Sequence, residues 1–142
     1  MAKITFNLGE DYMLRLEKLA DRSEETIKMA IYEGAGTLTD QIRENLEANL
    51  SGSEQSTGAL EASLGISPVI QDRDGVWNAK IGFDGYDEKG VPNQLKARVM
   101  ESGSSKIQKR PFVRPAVDAS KKAVEAAMQQ VIDEETQKIM KG

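Results

Sequence analysis

Two long helical patterns, one in the first half of the chain and one at its end, constrain the fold more than any other sequence feature. Between residues 22 and 49, apolar residues recur every three or four positions, which is the spacing of one buried helix face. A similar pattern runs over residues 115–140. The positions that carry the two patterns are Ile27, Ile31, Leu38, Ile42 and Leu46, and then Val117, Val124, Met128, Val131 and Ile139. We expect two helices that each need a partner for one face.

The partner of each long helix has more than one interpretation. The last helix is rich in alanine, which favours packing on the sheet or on the first helix, but the heptad spacing of Val117, Val124 and Val131 also suits a neighbouring subunit. The first helix carries Gly34 and Gly36 near its middle, each costing about 1 kcal/mol relative to alanine. This pair predicts either a tolerated weak point or kink, or the close approach of another helix or subunit.

Alternation of apolar and polar residues predicts the strands. Residues 3–8 alternate strictly and predict a short first strand, whereas residues 10–20 have helical spacing and predict a helix. Residues 64–70 and 77–83 also alternate, and turn residues at 72–75 join them into an expected hairpin. Pro68 within the first arm indicates an edge strand or a bulge. The predicted fold class is α+β, with a small antiparallel or mixed sheet packed against a long N-terminal and a long C-terminal helix.

Composition excludes several classes of function. The chain has 142 residues, enough for one domain, and 39% hydrophobic and 5% aromatic residues predict a modest core. It has no cysteine and no histidine, so disulfides, thiolate zinc sites and Ser-His or Cys-His nucleophiles are excluded. No apolar run approaches the roughly 18 residues that span a bilayer, and the N-terminus lacks the apolar core of a signal peptide. We expect a protein of a cytoplasm-like compartment without a membrane contact.

Motifs for phosphate or metal chemistry are incomplete in this chain. Residues 85–90 have the two glycines of a phosphate loop, but Val91 and Pro92 stand where lysine and serine or threonine are needed. Asp72 and Asp74 resemble the start of a calcium loop, but the remaining ligand spacing is absent, so we interpret them as turn residues. We therefore expect no enzymatic activity, no metal and no cofactor.

The segment 97–118, ARVMESGSSKIQKRPFVRPAVD, joins the last two predicted elements. After Pro92 the residues suit a short helix or a strand equally, and Gly103 can adopt the positive φ that ends such an element. Residues 104–110 read as a loop without apolar periodicity. Pro111 and Pro115 then mark the start of the last helix. Proline is tolerated in a first helical turn, because the backbone N–H that it lacks would have no partner within the helix there. Phe112 lies where it can anchor that start against a core.

Charge is unevenly spread along the chain. The net charge is −4, but residues 96–122 hold eight basic and two acidic residues, a net charge of +6, which leaves −10 for the remainder. The basic side chains in or beside the loop are Lys106, Lys109, Arg110 and Arg114. Three interpretations are open: contact with DNA phosphates, docking on an acidic protein neighbour, and ordinary solvated charge. Aromatic residues are not interleaved with these charges, so stacking on single-stranded bases is not expected.

Two motifs, in this order, resemble a family of tailed-bacteriophage neck proteins, the small head–tail joining or tail-completion proteins of long-tailed phages. The first is similar to T-G-x-L-x-x-S-[IL] and follows the long first helix. The second is an E-x-G, a short loop and P-F-x-x-P-A before the last helix. The residues that match are Thr57, Gly58 and Leu60 in the first motif, and Glu101, Gly103, Pro111, Phe112 and Pro115 in the second. The order and spacing fit over nearly the whole chain, although the loop is more basic than the pattern requires.

The resemblance implies a structural virion protein that forms a homo-oligomeric ring in the neck and joins the head connector to the tail. Its neighbours would be the connector or stopper on one side and the tail terminator or tail tube on the other, with genomic double-stranded DNA in the channel. The ring would be assembled in the cytoplasm of the bacterial host. Alternatives are a tail terminator that caps the tail tube, and a small non-specific DNA-binding protein that uses residues 96–122.

The resemblance also favours the helix between Pro92 and Gly103. We expect a single domain over residues 1–142, with flexible loops near residues 51–58, 84–92 and 103–111.

Overall fold

The computed structural model describes residues 2–6, 12–16, 24–50 and 58–141. In chain order the elements are β1 (Ala2–Phe6), β2 (Tyr12–Leu16), α1 (Glu24–Leu50), α2 (Ala59–Ala62), β3 (Leu64–Ile66), β4 (Ile70–Gln71), β5 (Trp77–Phe83), α3 (Asn93–Ser102) and α4 (Val113–Lys141). The α+β prediction is confirmed, because a small antiparallel sheet packs against the first of two long helices, which in turn packs against the second. Most of the loop predicted at 51–58, including Thr57, lies outside the described residues.

The sheet is arranged around β5. The strand order is β1–β2–β5–β3, β4 also pairs with β5, and every pair is antiparallel. The helix predicted over residues 10–20 is wrong, because Tyr12–Leu16 forms the strand between β1 and β5. Leu14 is fully buried and pairs with Ala79, so pairing with the sheet overrides the local helical spacing. The predicted first strand is present as Ala2–Phe6, and residues 7 and 8 lie outside the described part.

Pro68 lies in a bulge of the predicted hairpin. Ile66 pairs with Ile81 and Ile70 pairs with Asn78, so residues 67–69 lie opposite only two residues of β5. Ser67 keeps the arm attached, because its N–H donates to the Lys80 carbonyl at 2.8 Å and its Oγ accepts the Lys80 N–H at 2.8 Å. The hairpin and the bulge on its outer arm are therefore confirmed.

The turn of this hairpin is built by Asp72. Its Oδ1 accepts the backbone N–H groups of Asp74 at 2.9 Å and Val76 at 3.0 Å. Gly75 takes the positive φ of 80° that the turn requires. The interpretation of Asp72 as a turn residue is thus confirmed by its hydrogen bonds.

α1 and α4 pack side by side in antiparallel directions. Gly34, in the middle of α1, lies against Met128 of α4, whereas the Asn45 side chain, nearer the end of α1, donates to the Phe112 carbonyl just before α4 begins. Among the described side chains, the buried face of α4 consists of Val113, Ala116, Val117, Ser120, Val124, Met128 and Ile132. The side chain of Ile139, which was also predicted on this face, lies outside the described part. Ile132 is buried and Val131 only half-buried, because the stripe follows a four-residue spacing and not the heptad. Packing of the last helix on the first is confirmed.

The two glycines of α1 differ in their surroundings. A Cβ atom at Gly34 would lie 2.7 Å from Met128 Cγ and 3.0 Å from Leu14 Cδ2. A Cβ atom at Gly36 would meet no atom within 4 Å. Close approach of a neighbouring helix therefore explains Gly34, whereas nothing in its surroundings requires Gly36.

A hydrogen-bonded turn occupies residues 84–92, ahead of α3. Asp87 Oδ1 accepts the N–H groups of Lys89 and Val91, each at 2.9 Å, and Lys96 Nζ lies 3.1 Å from Asp87 Oδ2. The Val91 N–H, with help from Lys96 and Lys89, holds the pKa of Asp87 below its ordinary value. The turn leads into α3, which spans Asn93–Ser102. The helix predicted between Pro92 and Gly103 is therefore confirmed.

Candidate interaction surface between the last two helices

Gly103 ends α3 in a backbone conformation that favours glycine. Its φ is 77°, and its N–H donates to the Val99 carbonyl at 2.7 Å. A Cβ atom there would also lie 3.0 Å from both the Ile107 carbonyl oxygen and the Lys109 nitrogen. Positive φ and the close return of the loop therefore both require glycine at this position.

Glu101 caps the start of α4 from the preceding helix. Its Oε1 accepts the N–H groups of Phe112 and Val113, each at 2.8 Å, and its Oε2 accepts that of Arg114 at 3.1 Å. The first N–H groups of a helix have no partner within the helix, and the next residue, Pro115, has no N–H. The buried carboxylate of Glu101 thus satisfies the whole first turn and places a negative charge at the positive end of the helix dipole.

The loop from residue 103 to 112, which we call the α3–α4 loop, is also fastened to the end of α1. Asn49 Nδ2 donates to the Arg110 carbonyl at 2.8 Å, and Arg110 Nη1 donates back to the Asn49 carbonyl at 2.9 Å. The Arg110 N–H donates to the Met100 carbonyl at 2.7 Å. Near the loop tip, Ser104 Oγ accepts the N–H groups of Lys106 at 3.3 Å and Ile107 at 3.1 Å. These bonds give the predicted flexible segment a defined path in the structure.

Phe112 fixes the loop to the hydrophobic core. Its side chain is fully buried, and its ring lies edge-on to Phe83 of β5, with centroids 6.0 Å apart and planes at 72°. Aromatic pairs prefer this arrangement. Phe112 therefore occupies the core position expected from the sequence, between α1 and the sheet side of the molecule.

The four predicted basic residues lie together but have different surroundings. Lys106, Lys109, Arg110 and Arg114 are all exposed. Lys109 and Arg114 line one shallow depression beside Glu101 and Pro111. The guanidinium of Arg110 is engaged with α1, as described above, and so supports the fold as well as contributing charge. Lys106 and Lys109 are thus the exposed lysines of the loop, and Arg110 is bonded to α1.

The first motif has a structural role at the entrance to the hairpin. Gly58 has a φ of 78° and its carbonyl accepts the Ala62 N–H at 3.0 Å, which starts the single turn of α2. Leu60 is buried in the core. Thr57 lies outside the described residues, so the structure places Gly58 and Leu60 of the three residues that match the first motif.

A second surface was missed by the sequence analysis. An open groove of about 730 Å³ runs between α1, α4 and the bulge at Pro68. Its apolar lining is provided by Met29, Tyr32, Pro68, Val69, Ala127 and Val131. Met29 and Tyr32 are exposed and lie outside the buried stripe of α1. Two large apolar residues outside that stripe are the feature of the sequence that could have indicated this groove. We call this surface the α1–α4 groove.

The described part of the chain holds no group of three or more acidic, histidine or cysteine side chains placed to bind a metal ion. Nor does any helix within the described ranges combine the length and apolar character needed to cross a membrane. No family model, curated protein or solved structure matches this chain. The two surfaces described above, the basic α3–α4 loop and the apolar α1–α4 groove, are therefore the basis for inferring function.

Proposed function

We propose that this chain is a structural virion protein of a tailed phage, which forms a ring in the neck and joins the head connector to the tail. The observation that supports the proposal is that the motif residues form one structural unit. Glu101 caps α4, Gly103 allows the tight return of the loop, and Phe112 anchors it in the core. A sequence pattern that resembles the neck proteins thus coincides with a fastened, outward-facing basic loop.

A joining protein acts through complementary surfaces, and the loop has the properties that such a contact needs. Its backbone is held by α1, α3 and the core, so little conformational freedom remains to be lost on binding. Its outward lysines supply long-range attraction to an acidic partner or to DNA. In this proposal the protein acts by binding alone.

The proposal is tested with heads and tails of a phage that encodes this chain. Light scattering would give the mass of the purified protein alone, with isolated tails, and with DNA-filled heads that lack tails. We expect several copies to load on one of the two particles and to permit joining to the other. Loading on tails before heads would favour a tail terminator, and no loading on either particle would contradict the proposal.

Non-specific DNA binding is the second candidate, favoured by the net charge of +6 over residues 96–122. Part of this charge is already engaged, because Lys96 pairs with Asp87 and Arg110 with the Asn49 carbonyl. A protein that neutralises several phosphates loses affinity steeply as salt rises. Salt-dependent binding of the isolated chain to duplex DNA, together with indifference to heads and tails, would favour this candidate over the neck protein.

A further inference from the structure

The α1–α4 groove combines a mostly apolar lining with two acidic side chains. Met29 and Tyr32 are 46% and 59% exposed, so both offer apolar surface to a partner. Glu33 and Glu134 line the same groove, one from each helix. Among the described lining residues Lys28 is the only basic one. It pairs with Glu24 at 2.9 Å and lies over the Trp77 ring, 5.7 Å from the ring centroid, so its charge is engaged beside the groove. The groove therefore suits an apolar side chain flanked by positive charge.

The α3–α4 loop carries an apolar side chain flanked by positive charge. Ile107 is 53% exposed at the loop tip, with Lys106 before it and Lys109 two residues after it. The turn formed by Ser104, whose N–H donates to the Ile107 carbonyl at 2.9 Å, holds this tip in place. Within the described residues Phe112 anchors the loop in the core, whereas Ile107 stays exposed and available to a partner.

The loop tip and the groove cannot meet within one chain. The loop is bonded to Asn49 at the end of α1, whereas the groove includes Tyr32 in the first half of the same helix. At 1.5 Å per residue these two positions are about 25 Å apart along a continuous helix. The two surfaces complement each other only between different copies of the molecule.

We propose that the α3–α4 loop of one copy docks in the α1–α4 groove of the next, with Ile107 entering between Met29, Tyr32 and Val131. Lys106 and Lys109 would then face Glu33 and Glu134 of the neighbouring copy. A contact between two different surfaces repeats from copy to copy and produces a ring when its rotation closes. The inference rests on the proposed function only for the expectation of a ring, since the contact itself is argued from charge and shape.

Disulfide trapping tests this contact directly, because the chain contains no cysteine of its own. Ile107→Cys and Val131→Cys would be made in separate chains, one carrying a mass tag, then mixed and oxidised. We expect the mixed disulfide to form at least about tenfold faster than either symmetric disulfide. Ala123→Cys, on the exposed side of α4, is the matched control and is expected to give little product with Ile107→Cys.

Charge exchange gives the second measurement. Lys106→Glu with Lys109→Glu, or Glu33→Lys with Glu134→Lys, should each slow the trapping reaction about tenfold by placing like charges together. Mixing the chain that carries Lys106→Glu and Lys109→Glu with the chain that carries Glu33→Lys and Glu134→Lys should restore most of the rate of disulfide trapping. Circular dichroism would confirm that each variant keeps its fold. Equal trapping at Ala123→Cys, or failure of the charge exchange to restore the rate, would overturn the proposed contact.

The same cysteine pair separates this inference from the proposed function. If the protein joins heads to tails but the pair cannot be trapped in solution or in joined particles, the contact is wrong and the neck function stands. If trapping occurs in solution but the protein joins nothing, the contact stands and the neck function is wrong. Trapping within joined particles would support both.

Discussion

At the scale of single residues, Glu101 links the end of α3 to the start of α4. One buried carboxylate accepts the N–H groups of Phe112, Val113 and Arg114 at the start of α4, where the first N–H groups of a helix lack carbonyl partners within the helix. Helix capping therefore explains its position in the second motif. Substitutions at this residue test how strongly the loop and α4 depend on the cap.

We expect Glu101→Gln to lower the free energy of unfolding by about 1–3 kcal/mol, because an amide keeps one acceptor oxygen and turns a donor towards the Arg114 N–H. Glu101→Ala should cost more, since all three donors lose their partner. Chemical denaturation would measure both differences. The control is Glu125→Gln on the exposed surface of α4, which should change stability by less than about 0.5 kcal/mol. Equal stability of Glu101→Ala and the control would contradict the capping role.

The glycines of α1 give a second prediction at the residue scale. Gly36→Ala should raise stability by about 0.5–1 kcal/mol, because alanine favours the helix and its Cβ meets no atom. Gly34→Ala should lower it by about 1–2 kcal/mol, because its Cβ would overlap Met128 and Leu14. Thermal unfolding of the two variants provides the comparison. In a Met128→Ala background the penalty at Gly34 should largely disappear, and an unchanged penalty there would exclude overlap with Met128 as its cause.

At the scale of elements, the turn at residues 84–92 depends on a charged aspartate. Asp87→Asn keeps an oxygen for the Lys89 and Val91 N–H groups but removes the ion pair with Lys96. Because the pKa of Asp87 is lowered from 3.8 in the folded state, its charge stabilises the fold above that value and stops doing so as the pH falls through the folded pKa. Asp87→Asn should therefore be less stable than the parent near neutral pH.

The difference in the free energy of unfolding between Asp87→Asn and the parent should shrink when urea unfolding is repeated at a pH below 3.8. Both chains lose other carboxylate contributions on acidification, so the difference between them is the informative quantity. A gap in stability that is unchanged by acid would show that the carboxylate charge of Asp87 is not its source.

Elements whose apolar residues follow one clear spacing were predictable from the sequence. An element whose apolar residues fit both helical and strand spacing was not. α1, α4 and the hairpin follow from spacing and turn residues, because their core faces are long enough to exclude alternatives. Residues 12–16 fit a helical stripe through Met13 and Leu16, but Tyr12, Leu14 and Leu16 also fall on one face of a strand, and Leu14 is buried in the structure. Only pairing with β5, which begins more than sixty residues later, decides between the two.

The candidate site was predictable in composition but not in geometry. The sequence indicates a basic loop, a terminating glycine and an anchoring phenylalanine, since each is a local property. The cap by Glu101 depends on the path of the loop, and the bonds of Asn45 and Asn49 to the loop span more than sixty residues. The α1–α4 groove is formed by two helices and a bulge that are distant in sequence. Its one local signal, the apolar Met29 and Tyr32 outside the buried stripe of α1, indicates an exposed apolar patch but not the other walls of the groove.

At the scale of the whole molecule, the antiparallel pair of long helices separates the two candidate surfaces. The loop lies at the end of α1 and the start of α4, whereas the groove lies towards the opposite ends of both helices. The two surfaces also differ in charge, because Lys106 and Lys109 lie in the loop, whereas Glu33 and Glu134 line the groove beside Lys28. A chain built this way presents different surfaces at its two ends, as repeated head-to-tail contacts require.

Removing the outward charge of the loop should impair assembly without affecting the fold. We expect Lys106→Ala with Lys109→Ala to leave the unfolding temperature unchanged, because both side chains are exposed. Adding Arg110→Ala should lower stability by about 1 kcal/mol, since its guanidinium bonds to the Asn49 carbonyl. Calorimetry would separate these two contributions.

The assembly effect is measured by counting joined heads and tails made with each protein. The double lysine variant should reduce joining several-fold. Lys80→Ala with Lys89→Ala removes the same charge from exposed positions on β5 and in the turn at Asp87, and it should join particles as the parent does. Because net charge is matched, a defect confined to the loop variant would assign the effect to the position of the lysines. Equal joining by both variants would show that the loop charge has no part in assembly.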